Sequence, residues 1–274
     1  MEAFFLAVGE GARFCIYHPP SARSNLGLAA IFVPPFAEEM NKCRHVVAQA
    51  ARRLSGLGIG VLLIDLLGCG DSSGSLEDAT WQHWRDDITL GTQWLRDRGH
   101  ERLMLWGMRA GALLAMDMAV TVPEVYERCL LWQPVLSGET CLVQFLRLSI
   151  GSDILSGNKA GVSIKGMRAQ LERGEILEIA GYRLTQALAA DIAAMTLERF
   201  SPPCPVHWLE VVTEDGSGPS PGASRVVQSW RAAGVEVRLI TARGDAFWSV
   251  ASAEELVQCP ALVDATAHEA ESWT

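Results

Sequence analysis

The sequence predicts an α/β fold: an open, mostly parallel sheet of eight strands with helices on both faces. Short apolar runs bounded by turn residues alternate with amphipathic helical patterns along most of the chain. Residues 61–64 are apolar on both faces, as expected for a strand inside a parallel sheet. The alternation stops after the sixth strand and resumes near residue 206, which indicates an insertion.

The elements before the insertion follow from strand, turn and capping signals. In order, the sequence predicts a hairpin of strands 4–8 and 14–17, strand 29–33, a helix from Asn41 to about Leu57, strand 61–64, a helix capped by Asp78 or Thr80, strand 103–106, a helix to about Val120, and strand 130–132. After the insertion it predicts strand 206–212, helix 224–233, strand 235–240 and helix 253–267. Ligands of such sheets lie beyond the carboxyl ends of the strands.

The insertion carries helical patterns such as Leu142, Phe145 and Leu146, with no convincing strand. Pro202 and Pro203 mark its end. We therefore expect a core made of residues 1–136 and 201–274, with a helical cap at 137–200 over the carboxyl edge of the sheet.

The composition and charge of the chain limit the classes of partner and cofactor that we expect. The 274 residues are 49% apolar and carry a net charge of −9, which argues against nucleic acid or an anionic membrane surface as a partner. The absence of a signal peptide and of an 18-residue apolar stretch predicts a cytoplasmic chain without a membrane span. The seven cysteines are scattered and lack zinc spacing, so no metal is expected. No cofactor is expected either, because the glycine-rich loop 68–74 lacks a P-loop lysine.

One segment carries most of the functional information. Residues 103–114 read as an apolar strand, a turn with Gly107 and Gly111, and a helix start, which is the frame of a G-x-S-x-G nucleophile elbow. Arg109 occupies the position of the serine. A guanidinium has no acceptor lone pair and stays protonated, so it can serve neither as nucleophile nor as base.

The chain resembles the α/β-hydrolase fold, with residues 65–74 similar to its D-x-x-G-x-G-x-S loop. Residues 34–42, 106–111, 131–135, 202–208 and 244–248 together resemble the exosortase A system-associated hydrolase 2 family over nearly the whole chain. Arginine at the elbow is typical of that family. The resemblance implies a role in bacterial exopolysaccharide production or PEP-CTERM protein sorting, and it implies no particular reaction.

The other triad positions are also changed. The histidine should follow the last strand, but Asp245 and Ala246 stand there, and His45 is the one histidine expected near the cleft. Glu210, Glu214 or Asp215 occupy the region that supplies the acid. Loss of the serine or the histidine alone costs on the order of a million-fold in kcat, so a conventional serine esterase is not expected.

Carboxylates surround the expected place of Arg109. Glu38, Glu39 or Asp245 could pair with it, which would offset the cost of a cation at a helix N-terminus. An anionic ligand is the alternative partner. Glu38 and Glu39 would repel a developing oxyanion, but they could also act as general acid and base on a glycosidic or phosphate substrate.

Aromatic residues fall near several strand ends. Trp106, Trp132, Trp208 and Trp248 could line the cleft and stack on sugar rings, or they could fill the core. The residues expected to contact a ligand are Arg109, Phe36, Trp106, Met108, Trp132, Gln133, Trp208, Glu210, Phe247 and Trp248.

Three functions remain open at this stage, and the sequence does not decide whether the chain is an enzyme. The first is binding of an anionic, sugar-containing or lipid-linked small molecule at Arg109. The second is hydrolysis of an ester or glycan-linked substrate through Glu38 or Glu39. The third is a non-catalytic scaffold whose cap, around residues 141–150, docks a protein partner from the exosortase or exopolysaccharide system.

Overall fold

The computed structural model describes residues 1–21, 25–155, 163–214, 216–249 and 257–273, without side chains for 150–155. A sheet of eight strands forms its centre. The strands are β1 Glu2–Val8, β2 Gly11–His18, β3 Leu28–Val33, β4 Gly60–Ile64, β5 Arg102–Met108, β6 Arg128–Trp132, β9 Val206–Val212 and β10 Val237–Arg243. Two further strands, β7 Leu177–Ile179 and β8 Tyr182–Leu184, form a separate hairpin.

The strand order is β1-β2-β4-β3-β5-β6-β9-β10. The β1–β2 and β2–β4 pairs are antiparallel, and the remaining pairs are parallel. The carboxyl ends of the parallel strands therefore meet along one edge. The predicted fold class is confirmed.

Two helix layers cover the sheet. The helices are α1 Glu38–Gly56, α2 Trp81–Asp97, α3 Gly111–Thr121, α4 Gly138–Leu155, α5 Ile164–Glu172, α6 Gln186–Ala194, α7 Pro221–Ala232 and α8 Pro260–Glu271. Apolar residues of α1 and α8 pack on one face of the sheet, and those of α2, α3 and α7 pack on the other. None of these described helices combines the length and the apolar character that a bilayer crossing requires.

Several element boundaries differ from prediction. The helix α1 begins at Glu38 rather than after Asn41, because the turn before it is made by Ala37 at φ +52° and has no side-chain cap. Thr80 caps α2, as one of the two predicted alternatives, by accepting from the His83 amide. The helix α7 begins at Pro221, three residues earlier than expected, with Ser220 as its cap. The predicted helix start at residue 253 lies outside the described residues.

The segment predicted as a cap follows β6 along the chain. Helices α4, α5 and α6 form it, but the hairpin β7–β8 corrects the expectation that it contains no strand. Ala180 at φ +50° and Gly181 at φ +83° make the two-residue turn between these strands. Each strand has only three residues, too short for an alternating pattern to be recognised in the sequence.

Candidate functional site

The turn between β5 and α3 has the backbone of a nucleophile elbow. Arg109 sits at φ +54°, in the left-handed region that non-glycine residues rarely adopt. A Cβ on Gly107 would lie 2.6 Å from the Ala112 Cα, and one on Gly111 would collide with the Val33 and Pro34 carbonyl oxygens. The two glycines let the strand and the helix approach closely enough to present residue 109 at the carboxyl edge of the sheet.

Backbone hydrogen bonds hold this strained position. The Arg109 amide donates to the Trp132 carbonyl at 3.0 Å, and the Arg109 carbonyl accepts from Ala112 and Val135. Strain of this kind costs on the order of 1–3 kcal/mol and persists where surrounding structure enforces it. The elbow therefore retains the geometry for presenting a side chain, although the side chain is an arginine.

Glu39 is the carboxylate that pairs with Arg109. The Arg109 Nη2 donates to Glu39 Oε1 at 3.0 Å, and Nε lies 3.2 Å from both carboxylate oxygens. Both side chains are mostly buried, with 11% and 16% exposure. Arg109 also lies over the Trp248 ring at 5.3 Å, and Nη2 reaches Gln144 Oε1 at 3.4 Å. Among the predicted partners, Glu39 is thus paired, while Asp245 is exposed.

A cavity of about 300 Å³ opens around this pair between the sheet edge and the cap. Its wall combines charged, polar and aromatic groups. The lining residues are Phe36, Glu38, Glu39, Lys42, Arg109, Cys141, Gln144, Phe145, Leu148, Trp248 and Ser249. The sequence-predicted site residues that the structure brings together here are Arg109, Phe36, Glu38, Glu39 and Trp248.

The two glutamates differ in their surroundings. Burial raises the pKa of Glu38, and the neighbouring charge of Glu39 raises it further, while Lys42 and Arg109 oppose the shift. Burial thus disposes Glu38 to hold a proton, and the Glu39 carboxylate is held by the Arg109 guanidinium. The placement of both in the first turn of α1 suits their charge at a helix N-terminus.

The cavity lining contains no histidine among the described residues. Of its possible nucleophiles, Cys141 is buried and its pKa is raised to about 12, so the unreactive thiol dominates at neutral pH. The Ser249 hydroxyl donates to the Ala246 carbonyl. His45 is instead hydrogen-bonded to Gln49 on α1. A nucleophile activated by an imidazole is thus absent from the described part of this cavity.

The acid position has a structural role. Glu210 is buried near the end of β9, where its carboxylate accepts hydrogen bonds from the amide and the hydroxyl of Ser220. These bonds anchor the start of α7 and leave Glu210 outside the cavity. Gln133 behaves similarly, since its Oε1 accepts from the Val211 amide at 2.6 Å. Asp215 lies outside the described residues.

Five apolar residues that we expected to contact a ligand belong to the core. Trp106, Met108, Trp132, Trp208 and Phe247 are essentially inaccessible to solvent and are absent from the cavity wall. The expectation is corrected because these side chains point between sheet and helices, rather than beyond the strand ends. Trp132, for example, stacks edge-on against Trp106 and donates to the Thr266 hydroxyl of α8.

Sequence reasoning missed the contribution of the cap. Cys141, Gln144, Phe145 and Leu148 on α4 line the cavity, and Lys42 on α1 adds a second cation. The spacing of three or four residues that puts the α4 group on one helical face was visible in the sequence. The sequence did not show that this helical face covers the cavity.

Comparison with known proteins agrees with this architecture. The sequence matches no protein-family model and has no significant match among curated proteins. Its structure is similar to Est1E from Butyrivibrio proteoclasticus with ferulic acid bound, with a TM-score of 0.67, 16% identity and 98% of each chain covered. It is also similar to mouse alpha/beta hydrolase domain-containing protein 10, with a TM-score of 0.63, 16% identity and 100% of each chain covered. A proline iminopeptidase from Mycobacterium smegmatis matches with a TM-score of 0.58, 14% identity and complete coverage of both chains.

The chain therefore has the α/β-hydrolase fold. Identities this low establish the fold alone. Within that fold, it is a form whose elbow carries a guanidinium.

Proposed function

We propose that the chain binds a small anionic ligand that contains a sugar, in the cavity beneath the cap, and that it does not hydrolyse esters through the elbow. One observation carries this proposal. A strained elbow that the fold retains presents a guanidinium, paired with Glu39 and lying over Trp248, in a cavity with no imidazole among its described lining residues.

The cavity wall fits such a ligand chemically. Arg109 and Lys42 supply cationic donors from two sides of the cavity wall. Glu38, Glu39 and Gln144 can accept from hydroxyl groups. Phe145 and Trp248 provide aromatic surface for the apolar face of a sugar ring.

The sequence resemblance to exosortase A system-associated proteins supports the choice of ligand class. It favours an anionic sugar or a lipid-linked sugar intermediate of bacterial exopolysaccharide or protein-sorting chemistry, met in the cytoplasm. The proposal concerns the head group, because that is the part the charged wall can recognise.

Calorimetric titration tests the proposal with uronic acid oligosaccharides and their neutral counterparts. We expect binding of the acidic sugars and a Kd about 10–100-fold higher for Arg109→Ala, since a charge-assisted contact is worth about 1.5–3 kcal/mol. Arg53→Ala, at an exposed residue of α1, is the matched control. Equal affinity for acidic and neutral sugars, or an Arg109→Ala variant that binds normally, would contradict it.

A second candidate function is hydrolysis through the two glutamates. The raised pKa of Glu38 beside a Glu39 carboxylate is a pairing that general acid–base catalysis uses. Turnover of a glycoside panel tests this, and loss of a robust rate in both Glu38→Gln and Glu39→Gln would support it.

The scaffold alternative has less support, because Cys141, Leu142, Phe145 and Leu146 of α4 are buried within the chain itself.

A further inference from the structure

Two thiols lie side by side near the amino edge of the sheet, at the opposite end from the elbow. Cys129 Sγ and Cys204 Sγ are 3.8 Å apart. Cys129 belongs to β6, and Cys204 lies in the segment that leads into β9. The Cys129 amide donates to the Pro205 carbonyl at 2.9 Å, which fixes the two segments against each other.

One member of the pair can be reached from the surface. Cys204 is 8% exposed and lines a surface cavity of about 250 Å³, formed by residues 201–205 and 233–236. Cys129 has no exposed surface. Of the two cysteines, Cys204 is therefore the one next to the surface, and Cys129 lies deeper.

The directions of the thiol pKa shifts favour Cys204 as the reactive thiol. Hydrogen bonding from the Cys129 thiol lowers the pKa of Cys204, and the positive charge of Arg128 lowers it further, against the effects of burial and Glu127. The same hydrogen bond raises the pKa of Cys129. Burial raises the pKa of every other cysteine, namely Cys15, Cys43, Cys69, Cys141 and Cys259.

We propose that Cys204 and Cys129 are a dithiol site that a small hydroperoxide oxidises to an intramolecular disulfide. The Cys204 thiolate attacks the terminal oxygen of the hydroperoxide, the O–O bond breaks, and a sulfenic acid forms. The alkoxide or hydroxide that leaves takes back from water the proton that Cys204 released, and departs as an alcohol or water. The Cys129 sulfur then attacks the Cys204 sulfur, the S–O bond breaks, and the hydroxide takes the Cys129 proton to leave as water. Two thiols lose two electrons in total, and one hydroperoxide gains them.

The bond requires little rearrangement. A disulfide has an S–S length of about 2.05 Å, so the sulfurs must approach by roughly 1.8 Å, which side-chain rotation supplies when the backbones already lie together. The two cysteines are 75 positions apart in sequence. The segment between them contains α4, α5, the β7–β8 hairpin and α6, so the disulfide would close a covalent loop that includes the whole cap.

Oxidation followed by mass spectrometry tests the site. After treatment of the folded chain with hydrogen peroxide, we expect a tryptic cross-link between peptides 129–147 and 200–225. Cys141 is the other thiol of the first peptide, so Cys141→Ser must retain the cross-link. Cys204→Ser must abolish it, and Cys129→Ser must leave a Cys204 sulfenic acid that dimedone traps. A cross-link that Cys129→Ser does not remove would overturn the proposal.

A measurement on the unmodified chain guards against variants that misfold. Limiting iodoacetamide at neutral pH should alkylate Cys204 at least about tenfold faster than the five cysteines whose pKa is raised by burial, because only the thiolate reacts. Uniform labelling of the thiols, or labelling led by a cysteine other than Cys204, would overturn the assignment of Cys204 as the attacking group.

Discussion

Arg109 joins two features that usually occur separately: a strained backbone and a desolvated ion pair. The strained φ of +54° is what presents a nucleophile in enzymes of this fold, and Glu39 compensates the charge that the guanidinium brings to the start of α3. Trp248 covers the guanidinium from the loop after β10, where the fold places its histidine. A cation at the elbow and an aromatic ring from the loop after β10 thus contact each other at the carboxyl edge of the sheet.

Restoring the serine alone should not restore esterase activity. In Arg109→Ser the hydroxyl would lack a general base, because no histidine lies among the described residues of the cavity wall. We expect hydrolysis of p-nitrophenyl esters to stay roughly a million-fold below that of a complete triad. Arg109→Ala is the control for background hydrolysis. A substantial rate in Arg109→Ser that is absent from Arg109→Ala would reveal a base that the structure does not show.

The two adjacent glutamates should respond oppositely to neutralisation. Glu39→Gln leaves the mostly buried Arg109 without its carboxylate, so we expect the free energy of unfolding to fall by about 1–3 kcal/mol. Glu38→Gln removes a carboxyl group whose raised pKa marks an unfavourable charge in the folded state, so its melting temperature should be unchanged or higher at pH 7.5. Urea unfolding gives the free energy of unfolding of both variants, and thermal unfolding at pH 7.5 gives their melting temperatures. Destabilisation by Glu38→Gln that exceeds that of Glu39→Gln would show that the ion pair is assigned to the wrong glutamate.

At the scale of elements, the junction of β5 with α3 depends on the absence of side chains. A Cβ at Gly111 would collide with backbone oxygens of Val33 and Pro34, which cannot rotate away. Gly111→Ala should therefore lower the free energy of unfolding by more than about 3 kcal/mol, by displacing the elbow from β3. Gly56→Ala, at the exposed end of α1, has nothing within 4 Å of the added methyl and should be neutral or stabilising by up to about 1 kcal/mol. If the two variants unfold at the same urea concentration, the close approach at the elbow is not as described.

The elements also show where sequence reasoning succeeds and where it stops. The sheet strands and the elbow could be predicted, because their apolar runs and glycines are local signals in the chain. The start of α1 could not be predicted, because it depends on the left-handed backbone of Ala37, and alanine is not a residue type that signals this conformation. The tryptophans at strand ends were ambiguous, because position along a strand does not reveal whether a ring points beyond its end or into the core. The rings of Trp106 and Trp132 lie in the core.

At the scale of the whole molecule, the two helix layers and the cap produce separate chemical regions at opposite ends of the sheet. The carboxyl edge holds the cavity around Arg109, and the amino edge holds the Cys129–Cys204 pair together with several buried polar groups. His207 Nδ1 donates to the Glu269 carboxylate at 2.9 Å, and its Nε2 accepts from the indole N–H of Trp273 at 3.0 Å, which fastens α8 to β9. His207 therefore serves the packing of the core, and the cavity is left with carboxylates and cations.

Buried histidines should make the folded state sensitive to mild acid. Burial lowers the pKa of His18 and of His100 below the ordinary 6.5, and His100 is hydrogen-bonded to the Tyr17 hydroxyl at 2.7 Å. The unfolded chain then takes up protons at these positions before the folded chain does, so the contribution to stability is complete above pH 6.5 and is lost as the pH falls through the folded pKa values.

Glu38 acts in the opposite sense, since its raised pKa favours proton uptake by the folded state. We expect the histidines to dominate between pH 7 and 5.5, because the imidazoles of the unfolded chain take up protons near pH 6.5, inside that interval. Melting temperatures measured across this interval should fall with pH, and less steeply for His100→Gln, while exposed His268→Gln should keep the original slope. A flat profile, or a slope that His268→Gln alone reduces, would mean that the buried imidazoles do not control the response.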